Sequence, residues 1–199
     1  MFNFPKNKEY QIIDNVFSED IINKIENTLT GFYFPWYFYE ETTHPESYFF
    51  KNSKNLKNCN DYCQFVHSLY VPSDNNFGSE YFNLVLSLLN QFSLKHKIDF
   101  LKIERAKANL QTQYQDNNEK NFNIPHKDLD TEHYVFLYYV NDSDGDTIIF
   151  DDNNKIIDKI KPKRGRVLLF DGNLLHSSSH PILSKKRIVI NIDLKKYVD

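Results

Sequence analysis

Cysteines, basic runs and long apolar stretches are what this chain has least of. Two cysteines, Cys59 and Cys63, stand among 199 residues. Two make no secreted disulfide framework, and without a second pair they make no zinc set. At i, i+4 in a segment expected to be helical they would share a face, and the simplest reading is reduced thiols in a cytoplasmic protein. No apolar run approaches the roughly 20 residues a membrane helix needs. The N-terminal MFNFPKNKEYQIIDN also lacks the uninterrupted apolar segment of a signal peptide. Net charge is −3, and the densest positive stretches, Lys159 to Arg166 and Lys185 to Arg187, lie beside expected strands. A solvated sheet edge accounts for them more simply than a grip on phosphate backbones, so nucleic acid is a disfavoured partner.

Aromatic residues are plentiful instead. They reach 16 % of the chain, with 17 Phe and 13 Tyr, and the apolar fraction is 40 %. Such a chain can bury a core, which excludes wholesale disorder. Its length suits one domain, and no linker or internal repeat marks a cut.

The two halves read differently. Residues 10–17 (YQIIDNVF) read as a short strand or extended entry. Ser18 is placed to cap a helix over SEDIINKIENTL, with acids in its first turn and Gly31 at its end. Residues 31–41 (GFYFPWYFYEE) are almost wholly aromatic, and Pro35 keeps them from being a regular central strand. A segment packed on the main sheet or at its edge is expected there, with Trp36 or a neighbouring Tyr at a pocket mouth as the sharper alternative. Residues 42–58 read as a loop. Helices are expected over 61–70 and 79–94, the second with a broad apolar face.

From about residue 100 the period changes to two. Ile103, Arg105, Lys107, Asn109, Gln111 and Gln113 fall on one face of an extended segment, and Ala106 and Ala108 on the other. After a loop at Asn117-Asn118 come HYVFLYYVN, GDTIIFD, KIIDKIKP, GRVLLFDG and KRIVINIDL, separated by turn residues. Many short strands in one half point to a sandwich or jelly-roll barrel.

Within this β region lies His126-Lys127-Asp128, followed by His176 fifty residues after His126 and by Arg187 eleven residues later. Residues i and i+2 of extended chain point the same way, so His126 and Asp128 can aim together. Two imidazoles and one carboxylate can hold one face of an iron ion and leave the other open. An arginine beside it offers a planar fork for a carboxylate. Asp130 and His133 lie near the first pair, and His180 competes with His176. His176 is preferred because it follows the strand-end turn FDGN, whereas His180 abuts Pro181. Alone, each of these histidines is more simply an ordinary surface or core residue.

The combined pattern resembles the Fe(II)/2-oxoglutarate-dependent oxygenase superfamily, with the prolyl-4-hydroxylase-like branch nearest. The residues that carry it are HKD (126–128), FLYYVND (136–142), Gly145-Asp146-Thr147, Pro162 to Gly165, FDGNLLH (170–176) with Pro181 after it, and RIVINID (187–193). The resemblance spans roughly residues 98–194. It implies a mainly β chain with N-terminal helices (α+β): a double-stranded β-helix, jelly-roll or cupin-like, flanked by helices. Residues 1–199 would be one oxygenase domain, with 1–97 a helical support region carrying substrate-side loops and 98–199 the β-helix core.

The same resemblance implies that His126, Asp128 and His176 hold Fe(II), and that Arg187 binds the far carboxylate of 2-oxoglutarate. Tyr139 matches a tyrosine bonding that carboxylate, Tyr114 a second co-substrate tyrosine, and Asn191 a position that adds a hydrogen bond. O2 is the other co-substrate. The implied reaction hydroxylates an unactivated C–H bond of a peptidyl residue (proline is the obvious guess) or of a small metabolite, releasing succinate and CO2. A halogenase is disfavoured because Asp128 retains the carboxylate ligand. Gly145-Asp146 departs from the usual glycine pair, a change expected to stay within a turn. An AlkB-like nucleic-acid demethylase is the second possibility, weakened because no second arginine follows Arg187 in the spacing that branch uses. A non-catalytic jelly-roll module or a cupin holding another metal is the third. Oligomeric state is not legible.

Overall fold

The computed structural model describes residues 9–42, 62–72, 78–97, 102–114 and 122–195. All but Thr42 of the loop expected at 42–58, the loop expected at Asn117-Asn118, and Cys59 lie outside these residues. The described residues are mainly β, with two helices and two antiparallel sheets. Its elements run β1 (Tyr10–Ile13), α1 (Glu19–Leu29), β2 (Tyr37–Tyr39), β3 (Gln64–Tyr70), α2 (Phe82–His96), β4 (Ile103–Thr112), β5 (His133–Tyr139), β6 (Thr147–Phe150), β7 (Ile156–Ile160), β8 (Val167–Asp171), β9 (His176–Ser178) and β10 (Lys186–Lys195). A seven-stranded sheet has the order β1-β8-β5-β10-β4-β3-β2, and a three-stranded sheet has the order β7-β6-β9.

The period of two explains how these layers stack. All seven residues of β5 are buried. Tyr134, Phe136 and Tyr138 face one apolar cluster, which also holds Ile25 and Leu29 of α1 and Leu88 and Phe92 of α2. Val135, Leu137 and Tyr139 face the other, with Ile149 of β6 and Ile160 of β7. The large sheet is therefore the middle layer, helices on one side and the small sheet on the other. In β10, Ile188, Ile190 and Ile192 point to the helices. That leaves Arg187, Val189, Asn191 and Asp193 for the opposite face. Each fully buried aliphatic or Phe side chain stabilises this stack by about 1.5–3 kcal/mol relative to exposure.

Ser18 sits at the N-cap of α1 in extended conformation, but its side chain makes no cap bond. It pairs instead with Gln91 of α2: the Ser18 N–H donates to Oε1 at 3.1 Å, and the Gln91 Nε2–H donates to the Ser18 hydroxyl at 3.2 Å. The positive stretch at 159–166 also has a structural task. Arg164 bonds Glu26 at 2.6 Å, Asn23 at 2.6 Å and Glu19 at 3.1 Å, and Arg166 bonds both oxygens of Asp14 at 2.9 Å. These contacts fasten α1 to the strand turn.

One expected helix is corrected. Within the 61–70 span expected to be helical, Gln64–Tyr70 is instead β3, paired antiparallel with β4 through Phe65↔Leu110 and Val66↔Asn109. Its run of mixed residues is ambiguous by periodicity, and the free edge of β4 decides it. Cys63 just before it is exposed. The aromatic segment ends in the edge strand β2, whose three residues are all exposed. Phe34 is buried, and the Trp36 indole donates to the Leu29 carbonyl at 3.2 Å. Among the described residues, no helix is long and apolar enough to cross a membrane.

Candidate active site

His126, Asp128 and His176 come together between the two sheets, with one candidate ligand atom of each within 4.8 Å of the others. His176 opens β9, as the FDGN turn predicts. His126 reaches it through an isolated antiparallel bridge: each residue's N–H donates to the other's carbonyl, at 2.8 and 3.1 Å. Asp128 follows two residues later. Its carboxylate is 1 % exposed and lies 3.3 Å from His176 Nε2.

These donors fit a divalent metal. His126 Nδ1 lies 3.0 Å from the Ile124 carbonyl and His176 Nδ1 lies 3.1 Å from the Leu174 carbonyl. A carbonyl only accepts, so both rings carry hydrogen on Nδ1, and in the neutral ring Nε2 keeps the lone pair a metal needs. The His126 ring is pushed down to about 4 by burial, then by the charge of His176, so it is neutral at pH 7. Burial opposes ionisation of Asp128, yet the Arg105 guanidinium, with Lys107 behind it, holds it well below the ordinary carboxylate range. Lone pairs and a negative carboxylate crowded this closely repel one another unless a cation stands among them.

Two strands supply the surroundings of Asp128. Arg105 of β4 donates to Asp128 Oδ1 at 2.6 Å and to Asp193 of β10 at 2.7 Å. Lys107 Nζ is 3.7 Å from Asp128 Oδ1, and Asn191 donates to Oδ2 at 3.0 Å. Burial and the neighbouring Asp128 charge push Asp193 up to about 7.

Arg187, 3 % exposed, lies on the same face of β10 as Asn191. It donates to the Gly145 carbonyl at 2.8 Å, Thr147 Oγ1 at 2.8 Å and Gln111 Oε1 at 3.3 Å. Its guanidinium carbon is 5.8 Å from the Tyr139 ring centre, and the Tyr139 hydroxyl donates to Thr147 Oγ1 at 2.7 Å. Burial lowers the Arg187 pKa and pushes the Tyr139 hydroxyl up to about 12. Among the described residues, no carboxylate lies within ion-pair distance of Arg187. Gly145 permits the close approach: a Cβ there would lie 2.6 Å from the Ser179 carbonyl oxygen and 3.1 Å from Arg187 Cδ.

A pocket joins the two groups. His126, His176, Arg187, Asn191, Thr147, Lys107, Asn109, Gln64, Thr42, Leu137 and Phe170 are among the residues that line it. Tyr114 and Trp36 are not among them. Tyr114 is 44 % exposed, its ring 4.7 Å from Tyr62. His180 bonds the Thr112 carbonyl, and His133 bonds the Thr131 carbonyl beneath Gly172. Residues 105–111 carried no role in the sequence reading, although their alternation had already gathered Arg105, Lys107, Asn109 and Gln111 on one face.

No family model and no curated protein matches the sequence itself. Solved structures do match in shape. A 2OG-Fe(II) oxygenase-family oxidoreductase from Burkholderia pseudomallei aligns over 95 % of this chain and 86 % of its own, with a TM-score of 0.67 and 10 % identity. The fold is that of the 2OG-Fe(II) oxygenases. A Trichoplax adhaerens prolyl hydroxylase, solved with a hypoxia-inducible-factor peptide fragment, shares that fold at a TM-score of 0.61 and 15 % identity, over 95 % of this chain and 84 % of its own. The viral collagen prolyl hydroxylase of Paramecium Bursaria Chlorella virus-1, in its 2OG complex, shares the oxygenase fold at a TM-score of 0.53 and 18 % identity. It covers 94 % of this chain and 96 % of that one.

Proposed function

We propose that this chain is an Fe(II)- and 2-oxoglutarate-dependent dioxygenase, built as a single double-stranded β-helix domain, that hydroxylates an unactivated C–H bond of a peptidyl residue or small metabolite. The observation that carries this is the pairing of a buried two-histidine, one-carboxylate cluster with a buried arginine that has no carboxylate partner among the described residues. A buried guanidinium with Asp146 acting on it only from beyond ion-pair distance is costly, and a carboxylate ligand supplies a direct partner.

His126, Asp128 and His176 would hold the iron, which when bound couples O2 reduction and 2-oxoglutarate decarboxylation to C–H oxidation. Arg105 and Asn191 fix the orientation of Asp128 from two directions, and the Ile124 and Leu174 carbonyls fix the histidine rings. Arg187 would take the distal carboxylate of 2-oxoglutarate, with the Tyr139 and Thr147 hydroxyls beside it. Leu137, Val189 and Phe170 supply the apolar walls that limit water.

The test is anaerobic titration of metal-free protein with Fe(II) and then 2-oxoglutarate, followed by the weak visible charge-transfer absorption of a chelated 2-oxo acid. Absorption that appears in the parent and is lost in His176→Ala, with succinate formed once O2 is admitted, is the expected result. Folded protein with no such absorption would overturn the proposal.

A further inference from the structure

The co-substrate and metal leave part of the pocket wall unused. Lys107 and Asn109 lie two apart on β4, so they share a face. In the register of β4 with β10, Lys107 stands directly opposite Asn191, and Asn109 opposite Val189. Directly opposed residues bring their Cβ atoms within about 5.5 Å. Lys107, Asn109 and Asn191 thus form one contiguous patch, and all three line the pocket that holds His126 and His176.

Each member has capacity its neighbours do not take up. The carboxylate nearest Lys107, Asp128 Oδ1, is 3.7 Å away and already accepts from Arg105 at 2.6 Å. Asn191 must turn its NH2 toward Asp128, because a carboxylate only accepts. Its Oδ1 is then a buried acceptor with no partner, and Asn109 Oδ1 is another. Buried polar atoms are rarely left this way, and each calls for a ligand or a water.

We infer that Lys107, Asn109 and Asn191 form the subsite for the prime substrate, and that it selects a small acid with a neighbouring N–H or O–H donor: an amino or hydroxy acid. Lys107 takes the carboxylate, and the two amide oxygens take the donor. The inference rests on the preceding proposal in one respect, that Arg187 is occupied by the co-substrate.

Calorimetry on protein loaded with redox-inert Zn(II), with and without saturating 2-oxoglutarate, tests it. The probes are the free L-amino acids and L-lactate, each set against its carboxamide. At least one acid is expected to bind, with its amide weaker by about tenfold or more. Lys107→Met removes that preference, Lys107→Arg keeps it, and both bind 2-oxoglutarate within about threefold of the parent. Asn109→Leu weakens the acid but leaves the preference over the amide, which gives a second reading should Lys107→Met fold poorly. Equal binding of acid and amide overturns the inference, as does absence of binding by every acid up to about 10 mM. A tenfold loss of 2-oxoglutarate affinity in Lys107→Met also overturns it, assigning Lys107 to the co-substrate. If 2-oxoglutarate fails to bind while a Lys107-dependent preference for the acid persists, the co-substrate proposal falls and the subsite stands.

Discussion

Replacing Arg187 by methionine separates its work in folding from its work in binding. In the folded chain the guanidinium serves three acceptors: the Gly145 carbonyl, Thr147 Oγ1 and Gln111 Oε1. A buried acceptor left without its donor costs about 1–3 kcal/mol. Thr147 keeps its bond from Tyr139, and the variant no longer buries a charge, which offsets part of the loss. We therefore expect Arg187→Met to fold, with a stability loss of about 1–3 kcal/mol. Binding should suffer more. Removing one partner of a desolvated, hydrogen-bonded charge pair costs about 2–5 kcal/mol. That converts to a 2-oxoglutarate Kd raised by about 30-fold to a few thousand-fold. Arg187→Lys keeps a charge but loses the planar fork, and should fall between. The assay is anaerobic titration of the Fe(II)-loaded variants with 2-oxoglutarate, beside a metal-binding isotherm that should not change. A Kd within about threefold of the parent in folded Arg187→Met would refute the reasoning and assign the anchor to another side chain.

Three further outcomes are expected. His126→Ala and Asp128→Ala should each lower Zn(II) affinity in equilibrium dialysis by more than the roughly 10–100-fold that loss of an outer-shell partner causes; unchanged affinity in either removes that residue from the ligand set. Gly145→Ala brings a Cβ within 2.6 Å of the Ser179 carbonyl oxygen and 2.9 Å of the Pro181 nitrogen, both backbone. It should lower Tm and weaken 2-oxoglutarate together, and a variant with both unchanged would contradict the packing around Arg187. Asp144 accepts from the Ile182, Leu183 and Ser184 N–H groups at 3.0, 2.7 and 2.8 Å, and these bonds outweigh burial to hold its pKa at about 2, below the ordinary 3.8. A depressed carboxylate stabilises the fold above its unfolded pKa and ceases to as pH falls through the folded one. The Tm gap between parent and Asp144→Ala should therefore be full at pH 7 and close between about pH 4 and pH 2; a gap still open at pH 2 would refute the assignment.

Five of the six strands after residue 130 were legible because they are short β-rich runs with turn residues bounding each. The approach of His126, Asp128 and His176 was legible as a motif with spacing, and FDGN correctly put His176 at a strand start. β3 was not legible, because QFVHSLY is short and neither period dominates; only the partner strand β4 tells it from a helix. On β4 the pocket-facing residues are odd-numbered, and register sets Gln111 opposite Arg187. Tyr114 lies past the end of that strand, where alternation no longer says which way a side chain points; its ring rests against Tyr62 and His180. Arg105 and Lys107 were visible as one face of an alternating strand, but nothing local says that the face looks inward at a carboxylate from residue 128.

β10 is the last of the described strands along the chain, yet it occupies the fourth of seven places in the large sheet. A ribosome adds about 5–20 residues per second, so several seconds separate the emergence of Thr112, at the end of β4, from that of Lys186, at the start of β10. Throughout that interval β5 and β4 each wait with an edge open to a strand not yet made, and strand edges held open invite wrong partners. The sheet closes from its centre once β10 has been made, and the strand that closes it brings Arg187, Asn191 and Asp193 at the same moment. A chain interrupted before Lys186 would be left with two separated sheet fragments, β1-β8-β5 and β4-β3-β2, and with neither Arg187 nor Asn191 to complete the pocket lining.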